Sequence, residues 1–115
     1  MGNLLSSAIK MQNGAVANPT LVVNFTQEYG GACGISKNGL FYASAVPGAN
    51  IVPIVAGNTF QISVEAAFEG SCSFFYYVND VLITSGFSFT YIESGVYTAS
   101  GTNAYRFECY TQYGA

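Results

Sequence analysis

Between Thr59 and Phe68 the side chains alternate, with Phe60, Ile62, Val64 and Ala66 on one side of an extended chain and Thr59, Gln61, Ser63 and Glu65 on the other. A repeat of two is the repeat of a β-strand, and a strand that is apolar on one side only has one face in a core and one in water. The pattern returns where Tyr105, Phe107 and Cys109 alternate with Arg106, Glu108 and Tyr110, and again where Phe87, Phe89 and Tyr91 alternate with Ser88 and Thr90. From Thr20 onward no segment carries the three- and four-residue spacing of an amphipathic helix.

Turn-forming residues cut the rest into short extended pieces. Leu21 to Thr26 is expected to be a strand that stops at Gly30-Gly31, and Gly39 to Val46 another, closed by Pro47 and Gly48. Gly30-Gly31 and Gly34 are read as turns. Ser73 to Val78 and Val81 to Thr84 flank Asn79-Asp80, two residues that favour a hairpin turn. Val96 to Ser100 makes a further strand. The sum is an all-β domain of seven or eight short antiparallel strands, closed as a sandwich or a barrel over residues 20–115.

Residues 1–19 read differently. Leu4, Leu5, Ala8 and Ile9 recur at spacings of three and four, enough for a turn or two of helix, and Met11 extends the apolar run before Gly14 and Pro19 stop it. Helices this short are marginal alone. An arm of this kind is expected to pack on its own domain or on a neighbouring subunit.

Composition narrows what such a domain does. Half of the 115 residues are hydrophobic and only 8% are charged, against roughly a quarter in ordinary soluble domains. The surface is therefore built of hydroxyls, amides and glycine, and low charge removes the repulsion that keeps monomers apart. Lys10, Lys37 and Arg106 are the only basic residues and lie far apart, so no nucleic-acid partner is expected. The absence of histidine removes the usual general base and the commonest metal ligand. Glu28, Glu65, Glu69, Asp80, Glu93 and Glu108 nominate no carboxylate pair for glycoside chemistry. No catalysis and no cofactor are expected. No apolar run approaches the length of a membrane span. Met1 to Lys10 lack the features of a secretory signal, so the expectation is no export by that route, or a leader already removed.

Cys33, Cys72 and Cys109 are spaced too widely for a CxxC metal or redox site. They are either reduced, buried small hydrophobes, or two of them form one disulfide. Met1-Gly2-Asn3-Leu4-Leu5-Ser6 fits an acylation pattern and Asn24-Phe25-Thr26 a glycosylation sequon, both short patterns that recur by chance. Tyr29, Phe41, Tyr42, Tyr110 and Tyr113 are candidates for an exposed aromatic surface.

The stretch from Thr59 to Gln112 resembles the second half of an immunoglobulin-like domain. Glu93-Ser94-Gly95-Val96-Tyr97-Thr98-Ala99 is similar to the acidic-x-Gly-x-Tyr-x-Cys turn into strand F, with Ala99 at the cysteine position and Asn103 beyond it. Tyr76-Tyr77-Val78-Asn79-Asp80 is similar to the Trp-Tyr-x-x-Gly signature of strand C, with tyrosine for the buried tryptophan. The resemblance implies an immunoglobulin-like antiparallel β-sandwich without the inter-sheet cystine, and a corner at Tyr97 whose hydroxyl pins nearby backbone. It looks most like the modules of phage virions and bacterial surface proteins. It implies a structural component at a virion surface, such as a capsid decoration or tail-associated protein, whose arm residues Leu4, Leu5, Ile9 and Met11 contact neighbouring subunits. The alternative is an extracellular or cell-surface module binding a glycan or receptor, with Asn79, Asp80, Thr102 and Asn103 as ligand loops. A pilus-like fibre that adds an arm strand is a third reading, disfavoured by Pro19 within Val16 to Val23.

Overall fold

Asn79 and Asp80 both adopt left-handed backbone, with φ of 52° and 66°, the signature of a tight primed turn that matches the twist of antiparallel strands. Asn38-Gly39 does the same, with φ of 55° and 78°. These two hairpins punctuate an all-β chain. The computed structural model describes residues 18–114. Its strands are β1 (Thr20–Gln27), β2 (Ala32–Lys37), β3 (Leu40–Ser44), β4 (Gly48–Val52), β5 (Thr59–Glu65), β6 (Gly70–Val78), β7 (Val81–Ser88), β8 (Tyr91–Glu93), β9 (Tyr97–Thr98) and β10 (Ala104–Tyr113).

The strands form two sheets packed face to face. Sheet I runs β9-β5-β2-β3, with β8 also paired to β5, and sheet II runs β4-β1-β10-β6-β7. The alternation that announces β5 and β10 is obeyed. Phe60, Ile62 and Val64 point inward from sheet I and Tyr105, Phe107 and Cys109 from sheet II, all buried. Leu21, Val23 and Phe25 of β1 and Phe74 and Tyr76 of β6 complete the interior. Aromatic rings interlock at its centre: Phe107 stacks on Tyr76 at 4.7 Å between centroids, Tyr76 on Tyr97 at 4.1 Å, and Phe60 tilts against Tyr105 at 5.1 Å. Such pairs add about 0.5–1.5 kcal/mol each beyond the area they bury.

The structure departs from the sequence reading in four places. There are ten strands among the described residues rather than seven or eight, and one pairing is parallel. β1 lies beside β10 in parallel register from Thr20 opposite Ala104 to Gln27 opposite Thr111. No hairpin joins these two, the first and last described strands, so nothing obliges them to be antiparallel. Gly34, read as a turn, lies inside β2, paired with Ser63 on one side and Ser44 on the other, and a Cβ there would come 2.9 Å from Ser63 Oγ. β4 had no sequence signal of its own. It is held through Asn50, whose side chain donates to the Val23 carbonyl at 2.9 Å and accepts the Val46 N–H at 2.9 Å.

Two further strands end earlier than their alternation promises. The strand from Thr59 stops at Glu65, where the Gly70 N–H donates to the Ala67 carbonyl at 2.8 Å and Phe68 is left 88% exposed. The run through Phe87, Phe89 and Tyr91 conceals a change of sheet. Ser88 Oγ accepts the N–H of Thr90 at 3.1 Å and of Tyr91 at 3.3 Å, which ends β7 in sheet II and starts β8 in sheet I.

Candidate functional site

In a two-layer sandwich the inner faces form the core, so interaction surface must come from outer faces, edges and loop ends. The outer face of sheet II is the most distinctive of these. Register places Ile51, Val22, Arg106, Tyr77 and Leu82 in one row across the sheet and Ala49, Asn24, Glu108, Phe75 and Ser85 in the next. Thr26, Tyr110, Ser73 and Phe87 make a third row. Arg106 lies flat over the Tyr77 ring at 4.2 Å, and Phe75 meets Tyr110 edge-on at 6.0 Å.

The charges on this face are paired with each other. Arg106 forms an ion pair with the exposed Asp80 and places its Nε 2.9 Å from Glu108 Oε2. The hydrogen bond that the guanidinium donates to Asp80 keeps its pKa above the ordinary value. Glu108 also accepts a hydrogen bond from Asn24 Nδ2 at 2.8 Å, so the sequon asparagine is committed to its own sheet. Burial, and after it the Glu108 charge, raise the Tyr110 phenol.

The edge of the same sheet is apolar and open. β7 pairs with β6 on one side, and among the described residues no strand lies on the other. Val81, Leu82 and Ile83 are 61%, 51% and 53% exposed, followed by Phe87. The strand carries no charge and no proline, the devices that usually blunt an edge. A register shift between Tyr76 and Tyr77 twists it locally. The far edge of sheet I is similar in kind, with Leu40, Phe41 and Tyr42 of β3 exposed, although Lys37 lies 5.4 Å from the Tyr42 ring centre.

The proposed ligand loops do meet at one end of the sandwich. Asn79 Nδ2 donates to Asn103 Oδ1 at 2.9 Å, and Asn79 Oδ1 accepts the Ala104 N–H at 2.8 Å. Asn103 Nδ2 is engaged by the Ser100 carbonyl at 3.0 Å. These amides clamp the two loops to each other, while Asp80 is held by Arg106 and Thr102 is exposed. The aromatic candidates disperse: Tyr29 packs edge-on to Tyr113 at 5.0 Å, Phe41 and Tyr42 line the β3 edge, and Tyr110 joins the outer face of sheet II.

Tyr97 was the expected corner residue, and its ring does pack on Tyr76. The backbone-pinning hydroxyl, however, belongs to Tyr105. Tyr105 Oη accepts the Ser100 N–H at 2.9 Å and an Asn103 side-chain N–H at 3.2 Å. Burial pushes this phenol up, but the donors at Ser100 and Asn103 outweigh it, and its pKa falls below the ordinary value. The crossover from sheet I to sheet II follows β9, so the pin belongs at the start of β10. The sequence signal was there, since Tyr105 opens the alternating run that ends at Tyr113.

Leu4, Leu5, Ile9 and Met11, and the acylation pattern at Met1, lie outside the described residues. Among the described residues no three Cys, Asp or Glu side chains group as a metal site, and no helix is long and apolar enough to cross a membrane. A shallow cleft of about 60 Å³ between Ser36, Thr59, Gln61 and Val96 has room for little more than water. Cys33, Cys72 and Cys109 are free thiols, all buried. Comparison with protein-family models, curated proteins and solved structures returned no match.

Proposed function

We propose that this chain is a structural subunit of a larger assembly, of the kind that decorates a phage capsid or tail at the virion surface, with an immunoglobulin-like sandwich as its body. One observation carries the reading: β7 presents an uncharged, apolar edge that no other strand covers among the described residues, and a sheet edge of that kind is a template for another chain. The low charge of the whole chain supports it, because such a surface suits permanent neighbours better than dilute solution. The immunoglobulin-like reading is supported by Tyr105, whose hydroxyl binds backbone five residues upstream, and by the buried Tyr76 on the strand beside it.

The test is assembly. Deleting Met1 to Asn18 is expected to abolish incorporation into the particle and to leave a folded sandwich, seen by circular dichroism. Normal incorporation of the truncated chain refutes the role given to the arm.

A second reading is favoured by the outer face of sheet II, where Tyr77, Phe75 and Tyr110 offer ring faces and edges beside a paired Arg106 and Glu108. Half-exposed aromatic rings suit the apolar faces of sugars. On this reading the chain is a glycan- or receptor-binding module at a cell or particle surface, and the platform is this face and not the loops around Asn79. Glycan-array binding that is lost in Tyr77→Ala supports it; no retention on any glycan removes it.

A further inference from the structure

The core holds three thiols, and the course of the chain brings two of them face to face. β1 runs parallel to β10 in sheet II, and the turn after Gln27 carries the chain into β2 of sheet I. At that turn the two layers touch. Thr111 Oγ1 of β10 donates to the Gly30 carbonyl at 2.8 Å. A Cβ added to Gly31 would lie 2.8 Å from Thr111 Cγ2 and 2.5 Å from the Glu65 carbonyl oxygen, an approach no other residue permits.

Two residues beyond Gly31 on β2 is Cys33, and two residues before Thr111 on β10 is Cys109. A strand repeat of two gives each cysteine the same inward direction as its neighbour in that contact. The residues are 2% and 0% exposed, and the Cys33 thiol lies near enough to raise the Cys109 pKa. Cys72 is differently engaged, its thiol facing the Val64 carbonyl at 3.5 Å.

We propose that Cys33 and Cys109 are a latent inter-sheet disulfide site, which a small-molecule disulfide oxidises when the two sheets transiently part. The chemistry balances by exchange. One cysteine thiolate attacks the external disulfide and releases one small thiol; the second cysteine then displaces the other small thiol. One Sγ–Sγ bond forms, the external S–S bond breaks, and the two cysteine protons end on the two released thiols. The thiolate is the attacking form; both thiols are buried from any reagent, and the neighbouring Cys33 thiol, followed by burial, raises the Cys109 pKa. In the closed fold the pair is therefore inert. Reaction waits for opening, and once made the bond joins β2 to β10 and ties most of the domain into one loop, which restrains the unfolded chain.

This inference depends on the fold and not on the assembly role proposed above. The full-length chain is incubated with oxidised glutathione at about pH 8.5, where more thiolate is present, with and without sub-denaturing urea. It is then blocked with an alkylating agent, digested and mapped by mass. The expected product is lighter by two hydrogens, contains a Cys33–Cys109 peptide and leaves Cys72 alkylated. Urea accelerates its formation, and its Tm lies roughly 10 °C above that of the reduced chain. Cys72→Ala is expected to give the same link. The proposal is overturned if Cys33 and Cys109 are both recovered alkylated after an oxidative unfolding and refolding cycle, if they remain as separate glutathione adducts, or if the main link involves Cys72.

Discussion

β10 and β7 belong to one sheet, separated only by β6, and both are rich in strand-forming residues. β10 sits between β1 and β6 beneath the inner face of sheet I, and every second side chain from Tyr105 to Thr111 is buried. Among the described residues β7 pairs with one strand, and at Gly86 it lies close over the interior, where a Cβ would conflict with Ile92 Cδ1 and come 2.7 Å from the Phe74 ring. Val81, Leu82 and Ile83 are as apolar as anything in β10 yet lie open. Side-chain chemistry is thus shared by the two strands. Neighbours decide which becomes core and which stays an open edge.

The sharpest way to break this contrast is Phe107→Ala. Phe107 is fully buried against Phe60, Phe74, Tyr76 and Tyr97, and its loss is expected to cost about 3–5 kcal/mol in urea unfolding. A loss below about 1 kcal/mol would mean the centre is loosely packed. Gly86→Ala tests a close approach of β7 to the core. It is expected to cost about 1–3 kcal/mol by overpacking against Phe74, far more than alanine at an ordinary strand position. Tyr105→Phe keeps the ring and removes the acceptor of the Ser100 N–H, with an expected loss of about 1–2 kcal/mol; the same change at Tyr97 is expected to cost less, because among the described residues its hydroxyl makes no backbone hydrogen bond.

Alkali probes the core from another side. Burial, and then the neighbouring Tyr105 and Tyr97, raise the Tyr76 phenol well above its ordinary 10.0. A group whose pKa is raised by folding lends stability that is complete below its unfolded value and is lost as pH climbs from there toward the folded one. Stability is therefore expected to fall above about pH 10, and Tyr76→Phe to flatten that slope in denaturation curves taken at increasing pH. The smallest effect on stability belongs to the edge. Ile83→Lys is expected to change unfolding free energy by no more than about 0.5 kcal/mol, while lowering self-association or particle incorporation measured by light scattering. An equal loss of stability and association would show that β7 is core after all.

Reading these strands from sequence succeeded where one strand meets a core on one side only. β5 and β10 alternate, and their faces were correctly assigned. It failed where local cues and long-range partners disagree. Asn38-Gly39 is the strongest hairpin dipeptide among the described residues and marks both β2 and β3, whereas Gly34, read as a turn, lies inside β2. The Phe87, Phe89 and Tyr91 alternation looks like one strand because a change of sheet leaves no mark on period. Asn79 and Asn103 looked like ligand loops because exposed amides and structural clamps have the same composition. Tyr97 and Tyr105 both open aromatic strands, and only the path of the crossover tells which hydroxyl reaches the Ser100 backbone.

The amino-acid order alone determined that this chain makes strands, which side of β5 and β10 faces inward, and that its surface carries little charge, because periodicity and composition are local properties. Tertiary structure alone decided the parallel seat of β1 beside β10, the meeting of Cys33 with Cys109 and the exposure of β7. Each depends on which distant segments lie side by side, and a burial pattern that repeats every two residues constrains the face of a strand and not the identity of its neighbour.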